Sequence, residues 1–206
     1  RSLLGAYGQD DRVCSYAALK GLFDAEKRHK TAVCILADKE EIGSVGISGM
    51  QSHYFEHFME GLCDAQGVKL SDCFANSFCL SADVSNAFDP NWPETCDKRN
   101  NSQLNYGVAI CKYTGSRGKG GASDASAEAM GHVRSTLDKA GVIWQIATLG
   151  KVDQGGGGTV AAYMANRNIV TVDAGVPVLS MHAPLELVSK LDCYETMLAC
   201  KAIYLA

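Results

Sequence analysis

The sequence predicts an α/β fold with a mixed central β-sheet and helices on both faces. Three observations predict it. The chain has 206 residues, 47% of them hydrophobic, enough for one domain with a sizeable core. Short β-rich apolar runs alternate with stretches of helical spacing, the pattern of strands joined by covering helices. Some runs are apolar at consecutive positions, as in strands buried on both faces.

In order, residues 13 to 28 space Val13, Tyr16, Ala17, Leu19, Leu22 and Phe23 as a helix ending in the basic "EKRHK". "TAVCILAD" (31–38) reads as a doubly buried strand. Residues 51 to 65 read as a second helix, and "SFCLSADV" and "YGVAICKY" as strands. "SDASAEAMGHVRSTLDKA" reads as a helix capped by Ser123 or Asp124. "VIWQIAT" is a strand and "GGTVAAYMAN" a helix opened by a glycine run. "NIVTVDAG" and "VPVLSMH" are strands, and "ELVSKLDCYETMLACKAIY" closes as a helix. The polar stretch from Asp89 to Asn105 is the longest expected loop, and there is no internal repeat or low-complexity linker.

Composition excludes several classes. A formal charge of −4 gives no basic footprint for nucleic acid or an anionic membrane. No apolar stretch reaches the length of a membrane span. Nine cysteines, none in C-x-x-C spacing and several within apolar runs, suit buried reduced thiols in a cytoplasmic protein. The opening "RSLLGAYGQDD" has no initiator Met and suggests a piece of a longer polypeptide.

Polar groups collect at element ends, where open α/β sheets gather their ligands. Asp10 and Asp11 stand where a loop turns into the first helix. Glu40 and Glu41 follow "TAVCILADK", Asp83 ends "SFCLSAD", and His182 ends "VPVLSMH". Singly, each has a plain explanation: a helix cap, a solvated turn, a satisfied core histidine. Jointly they form a set of oxygen and nitrogen donors suited to Zn²⁺, Mn²⁺ or Co²⁺.

"GQDDRVCSYAAL", "DKEEIGSVG", "SADVSNAFDPNWP", "VDQGGGGTVA" and "VPVLSMHAPLEL" together resemble the aspartyl aminopeptidase and aminopeptidase I family, in the family's order. The family comprises dinuclear metal exopeptidases. The resemblance implies a metallo-aminopeptidase that removes the N-terminal residue of peptides with a metal-activated water. It implies that Asp10 bridges two divalent ions, most readily zinc, with manganese or cobalt as alternatives. Glu41 and His182 would complete the set of one ion, Asp83 would bind the other, and Glu40 would be the general base. It also implies a large closed homo-oligomer, up to a dodecamer. The family's upstream His-x-Asp stretch and inserted dimerisation domain have no counterpart here. Residues 1–206 are therefore expected to be the C-terminal part of the catalytic domain, needing the upstream part of the polypeptide to complete the site.

Other signals compete. "HYFEH" (His53–His57) matches the H-x-x-E-H motif of inverted zinc peptidases, with Glu56 as base; its plain reading is an amphipathic helix. "TGSRGKGG" fails the phosphate-loop spacing and reads as a mobile active-site loop, with Arg117 and Lys119 as candidates for substrate binding. The glycine run at 155–158 would bring backbone close to the metals. His29 and His132 are expected at the surface. A non-catalytic scaffold that kept the family sequence is the alternative function.

Overall fold

The computed structural model describes residues 2–206. The first half contains β1 (Leu3–Ala6), α1 (Gln9–Asp24), α2 (Tyr54–Asp64), α3 (Leu70–Ala75), β2 (Phe78–Ser81), β3 (Ser85–Asn86) and β4 (Val108–Cys111). There follow β5 (Tyr113–Ser116), β6 (Gly120–Asp124), α4 (Ala127–Ala140), β7 (Trp144–Ile146) and α5 (Ala161–Ala165). The chain closes with β8 (Val170–Gly175), β9 (Pro177–Leu179), β10 (Glu186–Ser189) and α6 (Lys190–Leu205).

The strands form two four-stranded sheets and a hairpin. The order β2-β8-β4-β7 is mixed: β8 is parallel to β2 and antiparallel to β4, and β4 is parallel to β7. The order β1-β10-β9-β3 is mixed as well, antiparallel except for β9 beside β3. Side chains alternate across the first sheet as the pleat requires. Val108, Ile110, Val172 and Ala174, with Phe78 and Leu80, face α4 and α6 through Val133, Leu137 and Ala199. Cys79 faces the other way, onto a cluster of Phe55, Met59, Phe74 and Met164 from α2, α3 and α5. Helices thus cover both faces, as expected. No helix among the described residues is long and apolar enough to cross a membrane.

Four expectations need correction. The run 31–38 is extended but joins no ladder. A 770 Å³ cavity lies between it and β2, the edge strand of its sheet. High β-propensity does not make a strand without a run of paired backbone, and here the only bond to another segment is from Asp38 N to Ser48 O at 3.2 Å. Ser123 and Asp124 belong to β6, and Ser126 caps α4 instead, accepting a hydrogen bond from Ala129 N at 3.1 Å. The expected final helix begins four residues late: Glu186–Ser189 pairs with β1 and β9, and Ser189 caps α6. The stretch around Arg117 is a β-hairpin, β5 to β6. The strands β1 and β3 and the helix α3 have no counterpart in the sequence reading, being too short to show a period.

Candidate metal centre

Asp10 and Asp11 open α1 with non-helical backbone, after Gly8 turns the chain in the left-handed region (φ 71°). Glu40 and Glu41 lie in a single 3-10 turn entered through left-handed Lys39 (φ 67°) and left through Gly43 (φ 87°). Gln51 Nε2 (2.7 Å) and Tyr163 Oη (3.2 Å) both donate to the Gly43 carbonyl and pin that turn. Asp83 follows β2, and His182 follows β9. The backbone carbonyl of Asp83 passes so close to Gly175 that a Cβ there would lie 1.8 Å from it, so only glycine fits.

These turns deliver the side chains to one place. His182 Nε2 lies 2.9 Å from Asp10 Oδ2 and 3.2 Å from Glu41 Oε2. Ligand atoms of Asp10, Glu41 and His182 fall within 4.8 Å of one another, and so do those of Asp10, Asp11 and Asp83. Asp10 is common to both groups. Glu40 is half-buried beside Glu41, while the Glu41 side chain is 54% exposed. Adjacent glutamates therefore aim differently, one into the cluster with His182 and one toward the interior.

The electrostatics are those of crowded carboxylates in a poorly hydrated place. Burial, then the neighbouring Glu41 carboxylate, pushes Asp10 up to about 7, with His182 opposing. Burial pushes Asp11 up to about 8, although hydrogen bonding to Cys14 works against it. Burial, then Asp11 and Asp10, drives Asp83 well above the usual carboxylate range. Glu40 is raised by burial and by Glu41. Asp173, beneath the cluster on β8, is held up at about 6 by burial and accepts a 2.7 Å hydrogen bond from Thr159 Oγ1. Asp11 Oδ1 is buried with no hydrogen-bond partner. Carboxylates that suppress one another's ionisation, an imidazole, and a buried oxygen lacking a donor form a donor set that fits divalent cations.

A family model described as aminopeptidase I zinc metalloprotease (M18) matches residues 1–204. The chain belongs to the M18 aminopeptidase family. It is 46% identical to a probable M18 family aminopeptidase 1 of Borrelia garinii over 99% of its length and 46% of the relative's. It is 48% identical to the corresponding Clostridium acetobutylicum protein over 95% of its length and 43% of the relative's. The solved structure of aminopeptidase I from C. acetobutylicum superposes with a TM-score of 0.93 at 46% identity, over all of this chain and 44% of that one. An M18 aminopeptidase from Thermotoga maritima gives 0.95 at 44% identity, over 98% and 46%. The S. cerevisiae mApe1 dodecamer gives 0.80 at 26% identity, over 98% and 46%. The chain thus spans about half the length of the relatives it matches.

Within this M18 chain, Asp10, Glu40, Glu41, Asp83 and His182 all line one cavity of about 310 Å³. Its far wall is Leu149, Met181, Thr159 and the glycines 155–158. That glycine run meets the β5–β6 hairpin on its other side: Gly115 N donates to Gly157 O and Arg117 N to Gly155 O, both at 2.8 Å. Arg117 and Lys119 are exposed in this hairpin and are absent from the cavity wall. The hairpin presents backbone rather than cations to the glycine loop. His53 and His57 are exposed and join no ligand group among the described residues. Glu56 is held by Arg167 Nε (2.7 Å) and His53 Nδ1 (2.5 Å), which joins α2 to the segment after α5. His29 is exposed, and His132 is exposed with its ring edge-to-face on Phe78 at 5.1 Å.

The sequence places Asp11 beside Asp10 in the donor set but gives it no ligand role of its own, because a second Asp at a helix start is explained as a cap. It does not single out Glu186 or Gly175, whose roles depend on contacts between elements far apart in sequence. Nothing local marks either residue.

Proposed function

We propose that the chain is the metal-bearing part of an aminopeptidase that hydrolyses the first peptide bond of its substrates. The observation that carries this reading is the sharing of Asp10 between two groups of candidate ligands. In this proposal Asp10 would serve two cations, with Glu41 and His182 holding one of them and Asp83 the other. Asp11, whose Oδ1 lies buried and unpartnered, supports the second group. Zinc is the first choice, with manganese and cobalt compatible with the same donors. The pair supplies Lewis-acid polarisation of a carbonyl and a water acidified to a pKa of about 7.

The remaining chemistry belongs to the chain's own side chains. Glu40, half-buried and raised from the usual carboxylate range, accepts a proton from the attacking water and returns it to the leaving amine. Glu41 and His182 hold each other in place across 3.2 Å. The carboxylates around the cavity favour the free ammonium of a peptide's N-terminus, which restricts cleavage to the first residue. Leu149 and Met181 then meet that residue's side chain. No Lys or Arg among the described residues lines the cavity, which favours neutral over acidic N-terminal residues. The upstream part of the polypeptide completes the second cation's set, and the working form is a homo-oligomer like its dodecameric relative.

The test is a panel of aminoacyl chromogenic substrates on the intact protein, with and without Zn²⁺, Mn²⁺ and Co²⁺. Metal-dependent cleavage of leucyl over aspartyl substrates is expected. Bound transition metal without cleavage of any member of the panel would favour the scaffold reading.

A further inference from the structure

Glu186, the first residue of β10, is 2% exposed. Its carboxylate accepts two backbone hydrogen bonds: Oε2 from Asp10 N at 3.1 Å, and Oε1 from His182 N at 2.7 Å. These two residues' side chains meet at 2.9 Å in the ligand group. We propose that Glu186 is the positioning residue of the centre, a single carboxylate that sets the spacing of the Asp10 and His182 backbones and with it the cation affinity of the Asp10–Glu41–His182 group.

Both loops need such a tie. Asp10 lies just beyond β1, whose last residue, Ala6, pairs with Glu186 itself. The intervening segment includes left-handed Gly8. His182 adopts φ 67° and Ser180 φ 58°, conformations that L residues hold only when their surroundings enforce them. The bond from His182 N to Glu186 closes that loop over four residues. A buried carboxylate is costly unless hydrogen-bonded, and two charge-assisted bonds from backbone N–H groups satisfy it. The charge lies directly behind Asp10, where it makes that residue a stronger cation ligand. Groups that orient ligands in this way commonly change metal affinity by about 10–100-fold when removed.

The chain contains its own control. Asp192 on α6 is also fully buried and also accepts two backbone hydrogen bonds, from Asn105 N and Gly107 N, each at 2.8 Å. It performs the same tying chemistry outside the ligand groups. A merely structural carboxylate should behave like Asp192.

The inference rests on the metal-centre reading, and one experiment separates the two. Zn²⁺ is titrated calorimetrically into the metal-stripped intact protein, and the melting temperature of the metal-free form is measured beside it. Glu186→Gln keeps the shape but replaces one acceptor by a donor. Glu186→Asp keeps the charge but is too short to reach both N–H groups. Each should fold and bind Zn²⁺ about 10–100-fold more weakly. Asp192→Asn should lower the metal-free melting temperature and leave Zn²⁺ affinity unchanged. A folded Glu186 variant of either kind with wild-type Zn²⁺ affinity would overturn the inference. So would an equal loss of affinity in Asp192→Asn. A wild-type protein that takes up no Zn²⁺ would overturn the metal-centre reading first, and the inference with it.

Discussion

Stripping the metal should make the protein acid-stable and base-labile, the reverse of a typical globular domain. Asp11 stands at about 8 in the folded chain against a usual 3.8, mainly because of burial. A group whose folded pKa lies above its unfolded one adds stability below the unfolded pKa and loses it as pH rises through the folded pKa. The window is therefore roughly pH 4 to 8. Between pH 5 and 8 the unfolded chain has released the Asp11 proton and the folded one has kept it, so stability falls by about 1.4 kcal/mol per pH unit. That is on the order of 4 kcal/mol over three units, shared by Asp11 with the carboxylates that titrate beside it. Asp10, at about 7, titrates together with the same carboxylates and is counted within that figure. A loss of about 4 kcal/mol is comparable to the whole stability of a marginal domain and corresponds to a drop of roughly 10 °C or more in Tm. Differential scanning fluorimetry in chelator across pH 5 to 8 measures it. With Zn²⁺ present the fall should vanish, because a cation favours the ionised carboxylates and its binding strengthens as they lose protons. Asp11→Asn should flatten the metal-free profile. A metal-free Tm that is level or rises from pH 5 to 8 would mean that the buried carboxylates do not keep their protons in the folded chain.

Three further outcomes follow from the geometry. Glu40→Gln should retain bound metal and lose roughly 10²–10⁴ in turnover of chromogenic substrates; near-native turnover would exclude Glu40 as the base. Gly175→Ala would set a methyl 1.8 Å from the Asp83 carbonyl and 3.0 Å from Cys14 Sγ. Overpacking of that kind costs about 1–3 kcal/mol and here displaces a candidate ligand, so the denaturation midpoint and the metal content should both fall; no change in either would contradict the close approach. His53→Ala and His57→Ala should leave metal content by elemental analysis and turnover intact, and loss of one ion in either would restore the inverted-zinc reading of α2.

The candidate cluster is legible because its members flank runs with a readable pattern. Asp83 closes an apolar run, His182 closes another, and Asp10 opens an amphipathic helix. What failed was whatever depends on a neighbour. "TAVCILAD" has a strand's composition, yet a strand is a property of a pair, and the run makes a single backbone bond to another segment, Asp38 N to Ser48 O at 3.2 Å, rather than a ladder. The segment Glu186–Ser189 was read as the first turn of α6 because "ELVSKL" suits a helix; pairing with β1 and β9 decides otherwise. Arg117 and Lys119 are candidates through the family resemblance and their charge; the β-hairpin leaves both exposed, which no sequence period shows. Glu186 looked like any acidic residue near a helix start, and only the approach of Asp10 and His182 to its carboxylate gives it a role.

In the proposed centre Asp10 serves two cations at once. Elemental analysis of the intact wild-type protein, Asp10→Ala and His182→Ala, each equilibrated with Zn²⁺ and then dialysed, tests it most directly. Two ions per wild-type chain, none in Asp10→Ala and one in His182→Ala are predicted. Two ions retained by Asp10→Ala would show that Asp10 is not shared.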